Sequence, residues 1–226
     1  MKNPDSAATR ETVVIAIDGP AASGKSTVAK ELARQLGFHF LNSGDLYRAM
    51  TWSCLCQGVD CRDAGAVAAV AGQAEITLRQ EGGHYFVLID GRDPRKHLRD
   101  AAVNENVSPV STVPAVRYIL SAAIRRQAQG RRTVIEGRDI GSAVFPESPF
   151  KFYIDASPQV RQRRRRNQGQ TEDVSRRDLI DSTRRTDPLM VAPGATVIDT
   201  SALDVAGVVG AMMEKLRTQG LVGVEA

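Results

Sequence analysis

Gly19-Pro20-Ala21-Ala22-Ser23-Gly24-Lys25-Ser26-Thr27 follows the apolar run Val13-Val14-Ile15-Ala16-Ile17 and fits the pattern G-x-x-x-x-G-K-[ST]. A triphosphate must lie against bare backbone N–H groups, so a loop that curls round it needs positions free of bulky side chains. Lys25 then supplies a mobile charge for the β- and γ-phosphates, and the Ser26 hydroxyl stands where it can reach Mg2+. The flanks fit as well. Val28, Leu32 and Leu36 recur every fourth position, as on one face of a helix, and Gly37 suits its end. The start of that helix turns its partial positive charge toward the phosphates. A glycine-rich turn between any strand and helix is the bland alternative, and the strand before and helix after the loop weigh against it. The stretch predicts a nucleoside triphosphate site built from all nine residues.

At 226 residues the chain suits one α/β domain carrying an insertion. A hydrophobic content of 42% with 25% charged residues is enough for a core and ordinary for a globular protein. The net charge of +4 comes mostly from Arg, which suits bidentate recognition of phosphate and carboxylate better than loose solvation. It is too small an excess to argue for nucleic acid as a partner. No apolar run approaches the roughly 20 residues of a membrane helix. The opening residues are polar, lack the apolar centre of a signal peptide, and are expected to form a flexible tail over 1–12. Cys54, Cys56 and Cys61 are one short of a structural zinc set and have no nearby His, so they are expected to be buried or partly buried thiols in a cytoplasmic protein.

Downstream, Phe38-His39-Phe40-Leu41 reads as a second strand, and Ser43 as the N-cap of a helix that turns Leu46, Met50 and Cys54 inward. Ser43 and Arg48 are either a cap and a solvated charge or a second anion site at a helix start, and position alone does not separate the two. From 59 to 100 the texture changes to β-like pieces, Ala74 to Leu78 and His84 to Asp90, around Glu81-Gly82-Gly83. This predicts an inserted hairpin unit. His84 and His97 have no partner at ligand spacing and read as surface residues.

Helices are expected from Ala101 to Ser108 and from Pro114 to Gln129, with Pro114 in a first turn. Ser108 and Arg117 flank the break between them. Thr133-Val134-Ile135-Glu136 is another strand, and Gly137-Arg138-Asp139-Ile140-Gly141 follows where ligands sit in an open parallel sheet. Arg138 and Asp139 are either a structural ion pair or ligand groups, and the glycines on each side suit close approach of backbone to a ligand. Lys151 to Asp155 is a fourth strand. Ser157 and Pro158 then open a helix carrying Arg161, Arg163, Arg164, Arg165 and Arg166, which breaks at Gln168-Gly169-Gln170. That run is a nucleic-acid patch, a solvated face or a lid over phosphates, and helical geometry keeps all five from one ligand. Arg177, Asp181 and Arg184 share a face of the next helix, and Thr196 to Asp199 with the helix from Leu203 to Thr218 closes the chain. The alternation predicts a parallel sheet with helices on both faces.

Taken together, IDGPAASGKST, LNSGDLYRA, NENVSPVSTVPAVR, VIEGRDIGSAVFP, RRDLIDSTRR with PL, and VIDTS resemble the bacterial-type cytidylate kinases, relatives of the nucleoside monophosphate kinases, over nearly the whole chain. The resemblance implies a five-stranded parallel sheet over 13–58 and 101–226, with a mobile acceptor-binding insertion at 59–100 and a helical lid at about 161–176. It implies that Ser43, Arg48 and Arg138 hold the acceptor's phosphate and that Ser108, Arg117 and Asp139 read cytosine. Their chemistry fits: the ring's exocyclic amine donates, while its N3 and O2 accept. Arg177 and Asp181 would hold the sugar. Arg184, with Arg161 or Arg164, would join Lys25 in balancing charge on the transferred group. The implied reaction moves the γ-phosphoryl of ATP to CMP and dCMP with Mg2+, in a monomer that binds neither nucleic acid nor membrane. Other readings are a small-molecule kinase of the shikimate-kinase type, an ATP-sensing module, or a nucleic-acid binder. Asn42 and Asp45 depart from the family pattern, where an acidic and a small residue are usual, and Asp93-Pro94-Arg95 is also unusual. An inward Asp45 would weaken phosphate binding.

Overall fold

The structure, a computed structural model, describes residues 11–167 and 174–221. The expected tail, apart from its last two residues, and the expected break at 168–170 lie outside them.

The five strands read from the sequence are present and parallel. They are β1 (Val13–Asp18), β2 (His39–Asn42), β5 (Arg132–Glu136), β6 (Phe150–Asp155) and β7 (Thr196–Asp199), side by side in the order β2-β5-β1-β6-β7. Every residue of β1 is buried, because the sheet is covered on both faces and each side chain meets a helix layer. Val14, Ala16, Leu41 and Ile135 pack on one face with α2 (Ser43–Cys56) and α5 (Pro114–Ala128). Ile15, Ile17 and Phe152 pack on the other with α1 (Lys25–Leu36) and α8 (Val205–Thr218).

Among the described residues the sheet has seven strands rather than five. The hairpin β3 (Ile76–Glu81) and β4 (His84–Ile89) turns through Gly82 and Gly83, both at positive φ, and β4 pairs in parallel with β2 at Phe40 and His84. Tyr85, Val87 and Ile89 therefore join the main core, and the sheet runs on into the inserted segment.

That segment also holds a helix absent from the sequence reading, α3 (Ala64–Gln73), whose first turn is capped by Asp63 accepting from the N–H groups of Gly65 and Ala66. Its run of Ala and Gly has no polar face to mark a helical period. α4 (Ala101–Ser111) continues three residues past the expected end, through Pro109, and α5 leaves it at 98° with Pro114 in its first turn. Ser43 is not the cap of α2. Asn42 holds that place and Ser43 is the first helical residue, its hydroxyl donating to the Glu136 carbonyl at 2.8 Å.

His84 and His97 are exposed, as expected, and each has a neighbour. His84 meets the Phe40 ring edge-on, and His97 bonds Asp100 at 3.0 Å while stacking on Trp52. Cys54 and Cys61 are buried but Cys56 is exposed. Burial, and then the neighbouring Cys61, push the Cys54 thiol up to about 11. No single described helix is long and apolar enough to cross a membrane.

Candidate active site

The five parallel strands end together at Asp18, Asn42, Glu136, Asp155 and Asp199, and a cleft of about 720 Å3 opens over that edge. Its walls are the phosphate loop, the start of α2, the α4–α5 break, the 136–139 turn, α6 (Pro158–Asn167) and α7 (Val174–Thr183).

The loop is fixed by backbone geometry. Gly19 has φ +146°, and a Cβ there would stand 2.0 Å from the Ile154 carbonyl oxygen, so only glycine lets the loop cross β6. Gly24, also left-handed at φ 98°, turns the chain into α1, and Lys25 is its first residue. The Lys25 ammonium is buried and donates to the Pro20 carbonyl at 2.5 Å and the Ser23 hydroxyl at 3.3 Å. Burial, and then the Arg138 guanidinium, lower its pKa to about 7 against the pull of Glu136 and Asp18. Ser26 donates to Glu136 Oε1 at 2.5 Å. Asp18 accepts from the N–H groups of Ile140 and Gly141 at 2.8 and 2.7 Å, and burial still raises its carboxyl to about 6.

The arginine run divides. Arg164 donates to the Ser23 carbonyl at 3.0 Å and to the Thr200 hydroxyl and carbonyl, which clamps the loop to the end of β7. Arg161 lies behind the loop, bonded to Asp178 and the Ala21 carbonyl, while Asp178 accepts from the Ala21 N–H at 3.0 Å. Arg165 is buried on the cleft wall, and Arg163 and Arg166 are exposed.

Across the cleft, Arg48 is 7% exposed and its Nε has no hydrogen-bond partner; its Nη2 reaches Asn104 Oδ1 at 3.3 Å. Burial, followed by the guanidinium groups of Arg177 and Arg99, disfavours its charge, so a negative ligand is what this corner lacks. Ser43, Arg138, Arg177 and Asp181 line the same wall. Arg138 Nε holds Asp181 at 2.9 Å. Burial opposes ionisation of Asp181, but Arg138, Arg177 and Arg184 together keep its carboxyl below the usual range.

Deeper in, Asp139 bonds Arg117 and lies 3.3 Å from Arg184 Nη2. Burial raises its carboxyl against both guanidinium groups. Asp139, Ser108 and Arg184 face the cleft, whereas Arg117 lies behind the wall. Its guanidinium is 2.9 Å from Asp187 and donates to the Ser111 carbonyl, with the Tyr47 ring beneath it. Thus the loop from Ala21 to Thr27 and the expected acceptor residues other than Arg117 line one cleft, while Arg117 reaches it through Asp139 and Arg161 through the Ala21 carbonyl and Asp178.

Of the two glycines that flank Arg138 and Asp139, Gly137 is also held by packing, since a Cβ there would stand 2.5 Å from Ser43 Oγ, whereas one on Gly141 would come no closer than 3.3 Å to Asp18 and Lys151. Glu136, Asp18, Asp178, Asp187 and Thr200 were not singled out from the sequence. The carboxyl end of a parallel strand is the signal that marks Asp18 and Glu136.

A family model described as cytidylate kinase matches residues 15–218. The cytidylate kinase of Caldanaerobacter subterraneus subsp. tengcongensis is 41% identical over 217 residues, 91% of this chain and 95% of that protein. That of Mycolicibacterium paratuberculosis is 42% identical over 219 residues, again 91% and 95%. Among solved structures, a shikimate kinase from Acinetobacter baumannii in complex with shikimate covers 94% of this chain and 97% of its own at 15% identity. Its TM-score is 0.47. The chain belongs to the cytidylate kinase family.

Proposed function

We propose that the protein transfers the γ-phosphoryl group of ATP to CMP, and to dCMP, giving ADP and the nucleoside diphosphate. One observation carries this: a single cleft joins the phosphate loop to a second, cationic wall that ends in the buried Ser108 and Asp139. A triphosphate on the loop meets the first helix turn, Lys25 and the arginine-braced turn at Ser23. The acceptor's phosphate goes to Ser43, Arg48 and Arg138, its sugar to Arg177 and Asp181, and its base to the Ser108 and Asp139 end, with Arg117 steering Asp139 from behind.

The acceptor's phosphate oxygen is already ionised at neutral pH, so no general base is required. It forms the new bond to the γ-phosphorus as the bond to the β-phosphate oxygen breaks, and the electron pair leaves on ADP. The protein's part is alignment and charge neutralisation. Lys25 lies between the two phosphate sites, and Arg184 supplies charge from the α7 side; Arg164 and Arg161 act on the loop's geometry. The Ser26 hydroxyl and Glu136 carboxylate, already in contact, form a hard oxygen pair of the kind that suits Mg2+ together with substrate phosphates. When bound, Mg2+ would neutralise phosphate charge there. Every one of these residues comes from one chain, and we take the protein to act as a monomer in the cytoplasm.

Steady-state turnover with ATP and each nucleoside monophosphate tests the proposal. CMP should give the highest kcat/KM; turnover of UMP or AMP without CMP would overturn the cytosine reading.

A further inference from the structure

Asp45 sits in the first turn of α2, beside Ser43 and Arg48. It is not left facing the acceptor site as a bare negative charge, because its Oδ1 accepts from Arg99 Nη2 at 2.7 Å. Arg99 comes from the end of the inserted segment and lines the same cleft as Ser43, Arg48 and Arg138. Asn104 ties it to Arg48: its Nδ2 donates to the Arg99 carbonyl at 2.9 Å and its Oδ1 accepts from Arg48. Arg48 in turn is more than nine-tenths buried with its Nε unpartnered.

The Asp45–Arg99 pair is built to be exchanged. The two side chains are 30% and 51% exposed, so water and salt screen their attraction. The fork meets the carboxylate through one nitrogen only, and the other terminal nitrogen makes a long bond to the Leu98 carbonyl at 3.4 Å. A phosphate dianion placed at Arg48 offers the same guanidinium two oxygens and a larger charge.

We infer that Arg99 is a further acceptor-binding residue, held at the cleft mouth by Asp45 until the acceptor's phosphate takes it over. Asp45 is thereby an internal competitor for that guanidinium and sets the affinity for the acceptor downward. This rests on the reading of Arg48 as an acceptor-phosphate residue.

Kinetics with CMP at saturating ATP, together with binding of cytidine, test it. Arg99→Gln should raise the KM for CMP about tenfold while kcat stays within about twofold, because one charge-assisted contact is lost in ground and transition state alike. Arg99→Lys should recover part of that loss. Cytidine, which has no phosphate, should bind Arg99→Gln as it binds the parent. Asp45→Asn should lower the KM about threefold, the scale of an exposed ion pair. A KM within about twofold of the parent for Arg99→Gln, or an equal loss of cytidine and CMP binding, overturns the inference. So does an Asp45→Asn enzyme whose KM is unchanged or raised. Arg48→Gln separates the two levels: if it too leaves the KM for CMP unchanged, the acceptor site itself is misread. If Arg48→Gln weakens CMP and Arg99→Gln does not, only the exchange fails.

Discussion

Filling the phosphate loop should load a proton onto Lys25. Its nitrogen is buried against the Pro20 carbonyl and the Ser23 hydroxyl, and burial followed by the Arg138 charge brings its pKa from the usual lysine range to about 7. A triphosphate lays several negative charges against that nitrogen and restores the ammonium. A pKa lowered that far leaves part of the ligand-free Lys25 neutral near pH 7 and more of it at pH 8. Proton uptake by the protein on ATP binding should then grow from about pH 7 to about pH 8. Asp18, raised to about 6, is almost wholly ionised in that range and adds little. Titration calorimetry in two buffers of different ionisation enthalpy reads the net uptake, and its difference from Lys25→Met isolates the lysine from the proton ATP itself releases. The same shift has a stability consequence of fixed sign. The folded pKa lies below the unfolded one, so between about 7 and 10.4 the unfolded chain binds more protons and the ligand-free protein gains stability as pH rises. Proton uptake that is flat from pH 7 to 8, or that survives in Lys25→Met, refutes the reasoning.

Gly19→Ala should cost about 3 kcal/mol and lower the melting temperature by about 6–12 °C, because its Cβ meets the Ile154 carbonyl; differential scanning calorimetry checks it. Asp139→Ala should cost about 2–3 kcal/mol in urea unfolding even without nucleotide, since it removes the carboxylate that Arg117 and Arg184 share and leaves them only Asp187 and Asp181. Thr200→Val removes the hydroxyl that joins Ser23, Asp155 and Arg164. It should raise the KM for ATP more than that for CMP, with a stability loss of about 1–2 kcal/mol.

What the sequence made legible is what chemistry or burial imposes locally. The phosphate loop could be read because bare backbone and a lysine are demanded at fixed spacing, and the parallel strands because burial on both faces leaves continuous apolar runs such as Val13 to Ile17. α3 escaped because alanine and glycine carry almost no pattern at any period. Ser43 is of a residue type that suits a cap, yet its hydroxyl bonds the carbonyl of Glu136, 93 positions away. The contact of Ser26 with Glu136 spans 110 positions and depends on the register of β1 with β5. Strand order sets such contacts, and residue spacing does not encode it. Arg117 shows the same limit: its type suits base recognition, but its bonds to Asp139 and Asp187, 22 and 70 positions away, follow from the fold. The hairpin could be read from Gly82 and Gly83, whereas its pairing with β2 could not.

The central claim is that one continuous cleft holds both nucleotides, with Lys25 at their junction. A cytidine and an adenosine joined through five phosphates would span it as a single ligand. Inhibition kinetics should show this compound competing with ATP and with CMP alike, at one molecule bound per chain. Competition with only one of the two substrates, or two molecules bound per chain, would contradict the account.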